Sequence, residues 1–144
     1  CIKKASSYAN DLKLNINFYV VGDGKDLKKI KSKLKNSENF SVIFLKSMNV
    51  EKTKEFMLRK IDLVMSMGTA ALDGAKLGIP TVLLDASYKK VDKKYRFKWL
   101  FESDGSNVAQ FIEYKEFINN NHSFDQIISA YFKDANNIGF KCKQ

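Results

Sequence analysis

Short apolar runs alternate with amphipathic stretches along the first 85 residues of the chain. Asn17–Val21 (NFYVV) and Ser41–Leu45 (SVIFL) are rich in β-branched and aromatic residues and read as buried strands. Ser6–Leu14, Asp26–Lys35 and Val50–Arg59 read as helices, the last capped by Asn49. In Asp26–Lys35, Leu27, Ile30 and Leu34 share one face and lysines fill the others. Ile61–Met65 and Thr81–Asp85 are two further buried strands. Strands that are apolar throughout, with helices between them, belong to a parallel sheet covered on both faces. The expected fold is therefore α/β, a Rossmann-like three-layer αβα arrangement with a parallel sheet of four or more strands. Past Asp85 the regularity fails. Tyr88–Phe101 reads as a loop with a short strand at its end, Val108–Ile118 and Phe124–Lys133 as helices, and Asn136–Gln144 as a loose tail.

The segment 61–85, IDLVMSMGTAALDGAKLGIPTVLLD, is the most informative. A strand, a Ser-Met-Gly-Thr turn, a small-residue helix over Ala70–Leu77 and a second strand make a βαβ unit. Gly78 and Pro80 form the helix stop. Amides that open a helix lack intrahelical acceptors, and the helix dipole adds partial positive charge there. Such a turn is suited to a phosphate. Ser66 and Thr69 are the N-cap candidates, with hydroxyls that can also donate to phosphate oxygens. Asp73 follows Thr69 by one turn on the same face and suits sugar or ribose hydroxyls beside the phosphate. The plainer reading is a crossover helix whose small residues serve packing alone.

At 144 residues the size is that of one domain, 1–144. No apolar run reaches the ~20 residues that span a bilayer, and no signal-peptide pattern is present. Cys1 and Cys142 lie at opposite ends without metal-ligand spacing, so no metal is expected and a reducing, cytoplasmic setting is. The chain opens on Cys1 and on a helix that leads into a strand, which suggests a piece of a longer protein. Net charge is +9, largely lysine, which attracts anionic partners.

Other candidates carry less. Gly22-Asp23-Gly24 starts like a dinucleotide fingerprint, but Leu27 stands where the third glycine belongs. Lys89, Lys90, Lys93, Lys94, Arg96 and Lys98 interleave with Tyr88, Tyr95, Phe97 and Trp99. That stretch reads as a solvated surface loop first, an acidic-membrane contact second and a nucleic-acid contact last. His122, the single histidine, lies far along the chain from the turn at 66–69 and is not expected to act as a base.

FYVVGDGKDLKKIKSKL, VIFLKSMN and the 61–85 segment together resemble the C-terminal half of GT-B glycosyltransferases. The Ser-x-Gly-Thr-x-x-x-Asp variant is similar to the branch that includes the peptidoglycan N-acetylglucosaminyltransferase, and UDP-N-acetylglucosamine 2-epimerases have a related site. The resemblance implies a donor-binding half of a two-domain, metal-independent glycosyltransferase. Its donor is a UDP- or GDP-linked sugar, with no separate cofactor. Its acceptor is a glycan, a lipid-linked sugar or a polysaccharide, bound by an N-terminal domain outside this chain. Ser66, Gly68 and Thr69 would contact the diphosphate and Asp73 the ribose. Phe44, Lys46 and Met48 would lie near the base, with Gly22 and Gly24 in the turn beside them. The paired glutamates of many retaining members fall here on Met65 and Asp73, so the acid that meets the sugar is absent. No catalytic residue is assigned. The expected location is cytoplasmic, with the basic–aromatic stretch allowing a peripheral place at the inner face of the membrane. Two alternatives stand beside the resemblance: a non-enzymatic basic module for nucleic acid or acidic membrane, and half of an epimerase-like enzyme.

Overall fold

The structure is a computed structural model and describes residues 2–92, 94–103, 108, 110–112 and 121–144. It is mixed α/β and divides into two units, Cys1–Lys52 and Thr53–Gln144. The first holds α1 (Ile2–Leu12), β1 (Ile16–Val21), α2 (Leu27–Lys31) and β2 (Phe40–Leu45). The boundary falls in the first turn of α3 (Val50–Lys60). The second unit continues with β3 (Val64–Ser66), α4 (Thr69–Lys76), β4 (Thr81–Leu83), β5 (Lys98–Trp99), a 3-10 turn at Leu100–Glu102 and α5 (Phe124–Lys143).

In the first unit β1 and β2 pair in parallel, Ile16 opposite Phe40 through Val21 opposite Leu45. Ala5 and Ala9 of α1 and Phe40 of β2 are its buried side chains. α2 is shorter than the Asp26–Lys35 expected. Lys29 and Lys33, and Lys31 and Lys35, would stack like charges one turn apart. The chain tightens instead, Lys33 N–H donating to Ile30 at 3.1 Å and the Ser32 hydroxyl to the Lys29 carbonyl at 3.0 Å. Asn49 caps α3 as expected, its Oδ1 accepting from Lys52 N–H at 2.9 Å.

In the second unit β4 is central and wholly buried, with Thr81, Val82 and Leu83 at 0–2% exposure. It pairs in parallel with β3 and antiparallel with β5. The described residues thus give a two-stranded parallel sheet and a three-stranded mixed sheet, smaller than the single parallel sheet of four or more strands expected. The two strands of the βαβ unit are also shorter than expected. Ile61 spends its N–H on closing α3, donating to Met57 at 3.0 Å. Asp85 N–H turns to the Tyr95 hydroxyl at 3.1 Å.

α4 lies close on the sheet because its inner residues are small. A Cβ on Gly74 would come within 2.9 Å of Val64 Cγ2 and 3.1 Å of Thr81 Oγ1. The tail expected to be loose is helical. α5 breaks at Asp134 (φ −161°, ψ 64°), one residue past the expected end at Lys133. The Asp134 carboxylate then accepts from Asn137 N–H at 3.2 Å and starts a second helical segment. That segment buries Ile138, Gly139 and Cys142, and the Cys142 thiol reaches the Thr81 carbonyl at 3.7 Å. At Gly139 the packing is backbone on backbone: an added Cβ would stand 2.1 Å from the Gly78 carbonyl oxygen. Cys1 and most of the helix expected over Val108–Ile118 lie outside the described residues.

These contacts set an order of tolerance. Gly139→Ala is expected to cost about 3 kcal/mol, because only backbone movement can relieve the clash. Gly74→Ala should cost about 1–2 kcal/mol, overpacking against Val64 outweighing alanine's better helix propensity. Gly24→Ala meets nothing within 4 Å and should stay within about 0.5 kcal/mol of the parent. Denaturant unfolding of the three variants checks the ranking.

Candidate functional site

Gly22, Gly24, Phe44, Lys46 and Met48 belong to the first unit, and Ser66, Gly68, Thr69 and Asp73 to the second. In the first unit they gather at the carboxyl end of the parallel pair. Gly22 follows β1 at φ 140°, a conformation that suits glycine, and its N–H donates to the Leu45 carbonyl at 3.0 Å. Gly24 is exposed, and its carbonyl accepts from Leu27 N–H at 2.9 Å. Phe44 lies in β2, half-buried, with the Lys31 ammonium 5.1 Å above its ring. Lys46 is exposed and Met48 half-buried in the loop that follows. Asp23 ties the two loops together, its Oδ2 accepting from Ser47 N–H at 2.8 Å. The hydrogen bond from Ser47 holds the Asp23 carboxyl below the usual carboxylate range.

In the second unit the four residues span the β3–α4 junction. Ser66 ends β3, and its carbonyl accepts from Leu84 N–H at 2.9 Å, so the ends of β3 and β4 are joined. The N-cap of α4 is Gly68, at φ 60° and ψ −142°, with no side-chain cap bond. Ser66 and Thr69, expected as caps, do not cap. The turn needs a backbone conformation that only glycine adopts without strain, and this puts Gly68 in the cap position. Its N–H is already engaged, donating to the Val108 carbonyl at 2.8 Å. The Ser66 hydroxyl is buried and has no hydrogen-bond partner among the described residues. Thr69 and Ala70 are exposed, and their amides open the helix where no intrahelical acceptor exists. Asp73 is half-buried one turn on. Thr69 and Ala70 are thus the exposed residues of the opening turn, whereas Ala71 is buried and its N–H donates to the Gly68 carbonyl at 3.1 Å.

A feature not foreseen from the sequence stands at the end of β4. The Tyr95 hydroxyl donates to Asp85 Oδ2 at 3.0 Å and accepts from Asp85 N–H at 3.1 Å. Burial, then the nearby Asp85 charge, pushes the Tyr95 hydroxyl far above the ordinary tyrosine value. The stretch that carries it, read as a solvated loop with a short strand at its end, does end in β5, but Phe97 and Trp99 are buried and Tyr95 half-buried, while Tyr88 stays exposed. Phe97 is fully buried, with Tyr95 edge-on at 5.1 Å and Phe124 at 5.9 Å. Trp99 is 3% exposed. Arg96 binds the Asn121 carbonyl and, at 3.1 Å, Gln126 Oε1. Tyr95, Phe97 and Trp99 alternate with Arg96 and Lys98, the period-two signal of a half-buried strand that would have revealed this.

His122 pairs with Glu102, Nε2 to Oε1 at 2.7 Å, while Glu102 Oε2 accepts from Trp99 N–H at 2.9 Å. Backbone bonds between His122 and Phe97 run in both directions, at 2.6 and 2.7 Å. This histidine is a fastening between β5 and the start of α5. Burial pushes the Cys142 thiol up, so it stays protonated and unreactive at neutral pH.

Comparisons with known protein families, with curated proteins and with solved structures find no match for this chain.

Two outcomes are expected. Tyr95→Phe removes the two hydroxyl contacts to Asp85 and should cost about 1–2 kcal/mol. The folded state also holds the Tyr95 proton more tightly than the unfolded chain does. Its stabilisation is therefore complete below the ordinary tyrosine value of ~10 and declines as pH rises beyond it. Stability profiles of parent and variant should converge in that alkaline range. Asp23→Ala should speed hydrogen exchange at the Ser47 amide while leaving β4 amides unchanged, as exchange monitored by NMR will report.

Proposed function

We propose that this chain is the donor-binding half of a GT-B-type glycosyltransferase, a Rossmann-like domain that holds a UDP- or GDP-linked sugar by its diphosphate. The observation that carries the reading is the β3–Gly68–α4 junction. A short, partly buried strand ends in Ser66, a glycine at φ 60° opens the helix, and Thr69 and Ala70 of the first turn are exposed. Anions bind such junctions because amide donors and the helix dipole act together. The junction lies at the carboxyl end of parallel β3 and β4, the edge where open α/β sheets take ligands.

In this reading the Thr69 and Ala70 amides and the Thr69 hydroxyl grip the diphosphate, and Asp73 accepts from ribose hydroxyls. Their chemical contribution is electrostatic. Negative charge builds on the departing nucleoside diphosphate, and donors already fixed in place stabilise it without reorganising. The buried Ser66 hydroxyl at the end of β3 has no partner among the described residues, a bond worth about 1–3 kcal/mol when supplied. The Val108 carbonyl, seated on the Gly68 amide, limits how deeply a phosphate sits. The acceptor and any general base belong to the companion domain.

Titration of the isotopically labelled chain with UDP and with GDP is expected to shift the Thr69 and Ala70 amide resonances. Asp73→Ala should weaken binding about tenfold, as loss of a charged hydrogen bond does. Inorganic pyrophosphate should shift the same amides in parent and Asp73→Ala alike. Resonances that stay still at millimolar nucleotide would refute the assignment. Sugar transfer by this chain alone is not expected.

A further inference from the structure

A small apolar tip stands on the second unit, formed by the residues that follow β4. Ala86 is bridged to Phe111: Ala86 N–H donates to the Gln110 carbonyl at 2.8 Å, and Ile112 N–H to the Ala86 carbonyl at 3.0 Å. From this anchor Tyr88 projects with 90% of its surface exposed, its ring stacked on Phe111 at 5.1 Å and 21°. Phe111 is itself 39% exposed and Val91 42%. The Ser87 hydroxyl donates to the Lys89 carbonyl at 2.9 Å and accepts from Lys89 N–H at 3.1 Å. Lys89, Lys90 and Lys94 are exposed in the same turn. The one acid in the turn, Asp92, spends a carboxylate oxygen on Lys94 N–H at 2.6 Å.

We propose that this tip, Tyr88, Val91 and Phe111 ringed by Lys89, Lys90 and Lys94, docks the chain on a membrane surface rich in anionic lipid. Fixing aromatic and aliphatic side chains in water gains nothing for the fold. Placed at a bilayer interface, they bury apolar surface, and the tyrosine hydroxyl stays among the headgroups. Lysines lay their stems along the same apolar surface and keep their charge at the phosphates. A weak apolar anchor with a basic ring is the two-signal arrangement that gives stable yet reversible attachment. Single-stranded nucleic acid fits less well. One face of the Tyr88 ring is already taken by Phe111, and Val91 offers a base nothing to stack on. Among the described residues no helix is long and apolar enough to cross a membrane. The proposal does not rest on nucleotide-sugar binding by α4.

Flotation of the chain with vesicles tests it, using phosphatidylcholine alone and phosphatidylcholine with ~30% phosphatidylglycerol. Binding is expected with the anionic vesicles and little without. Replacing Lys89, Lys90 and Lys94 by glutamine should weaken partitioning on the order of 100-fold, about fivefold per lysine. The pair Tyr88→Ser and Val91→Ser should weaken it about tenfold. Glutamine at Lys76, Lys133 and Lys143, which removes the same charge from other exposed positions of the second unit, should change it less than about threefold. An equal loss in that control set would show attraction to net charge alone and overturn the assignment. So would unchanged partitioning of the Tyr88, Val91 pair, or tighter binding to oligodeoxythymidine that Tyr88→Ser abolishes. Circular dichroism of each variant confirms that the fold is intact.

Discussion

The second unit depends on a contact that leaves no room for a side chain. Gly139 of α5 meets the Gly78 carbonyl at the stop of α4, so two backbones touch where two helices would ordinarily be held apart by their side chains. That approach lets α5 bury Ile138 and bring Cys142 to the buried start of β4. On α4, Gly74 allows a similar closeness to Val64 and Thr81. A three-residue central strand, buried at every position, is short for a sheet core. It stands because the helices come near enough to exclude water from it.

The same economy of space shapes the end of β4. The strand cannot run on, because Tyr95 claims Asp85 and the chain then folds back through Phe97 and Trp99 to form β5. What emerges is a carboxyl edge crossed by β3, β4 and the opening of α4, with an aspartate held by a tyrosine beside it. The proposed anion grip sits on this edge, where α4 packs closely on β3 and β4 through Gly74. Preorganised donors act best when their supporting residues cannot move.

Element identity through Asp85 was legible in the sequence because each run matched one period, as SVIFL and the Leu27–Ile30–Leu34 face show. Ends were less legible. Hydrophobicity marks burial, but Ile61 and Asp85 left their strands because their amides found partners elsewhere, in Met57 and Tyr95. The tail was misread for a different reason. The spacing of exposed Asn136, Asn137, Lys141 and Lys143 leaves Ile138 and Cys142 facing inward, the one-sided pattern of a helix. At the junction, Ser66, Gly68 and Thr69 were found by motif. The Val108 carbonyl on the Gly68 amide was invisible, since any residue supplies a carbonyl.

The break at Asp134 has a consequence for how the chain can be rebuilt. A capping aspartate restarts the helix, so Ala135 occupies an opening position whose amide has no acceptor within its own segment. Proline is at home in such a place, its fixed ring matching the first turn and its missing hydrogen costing nothing. The long terminal helix is therefore two rods with a built-in joint. The joint could be stiffened without disturbing the crossing at Gly139 that the second rod exists to make.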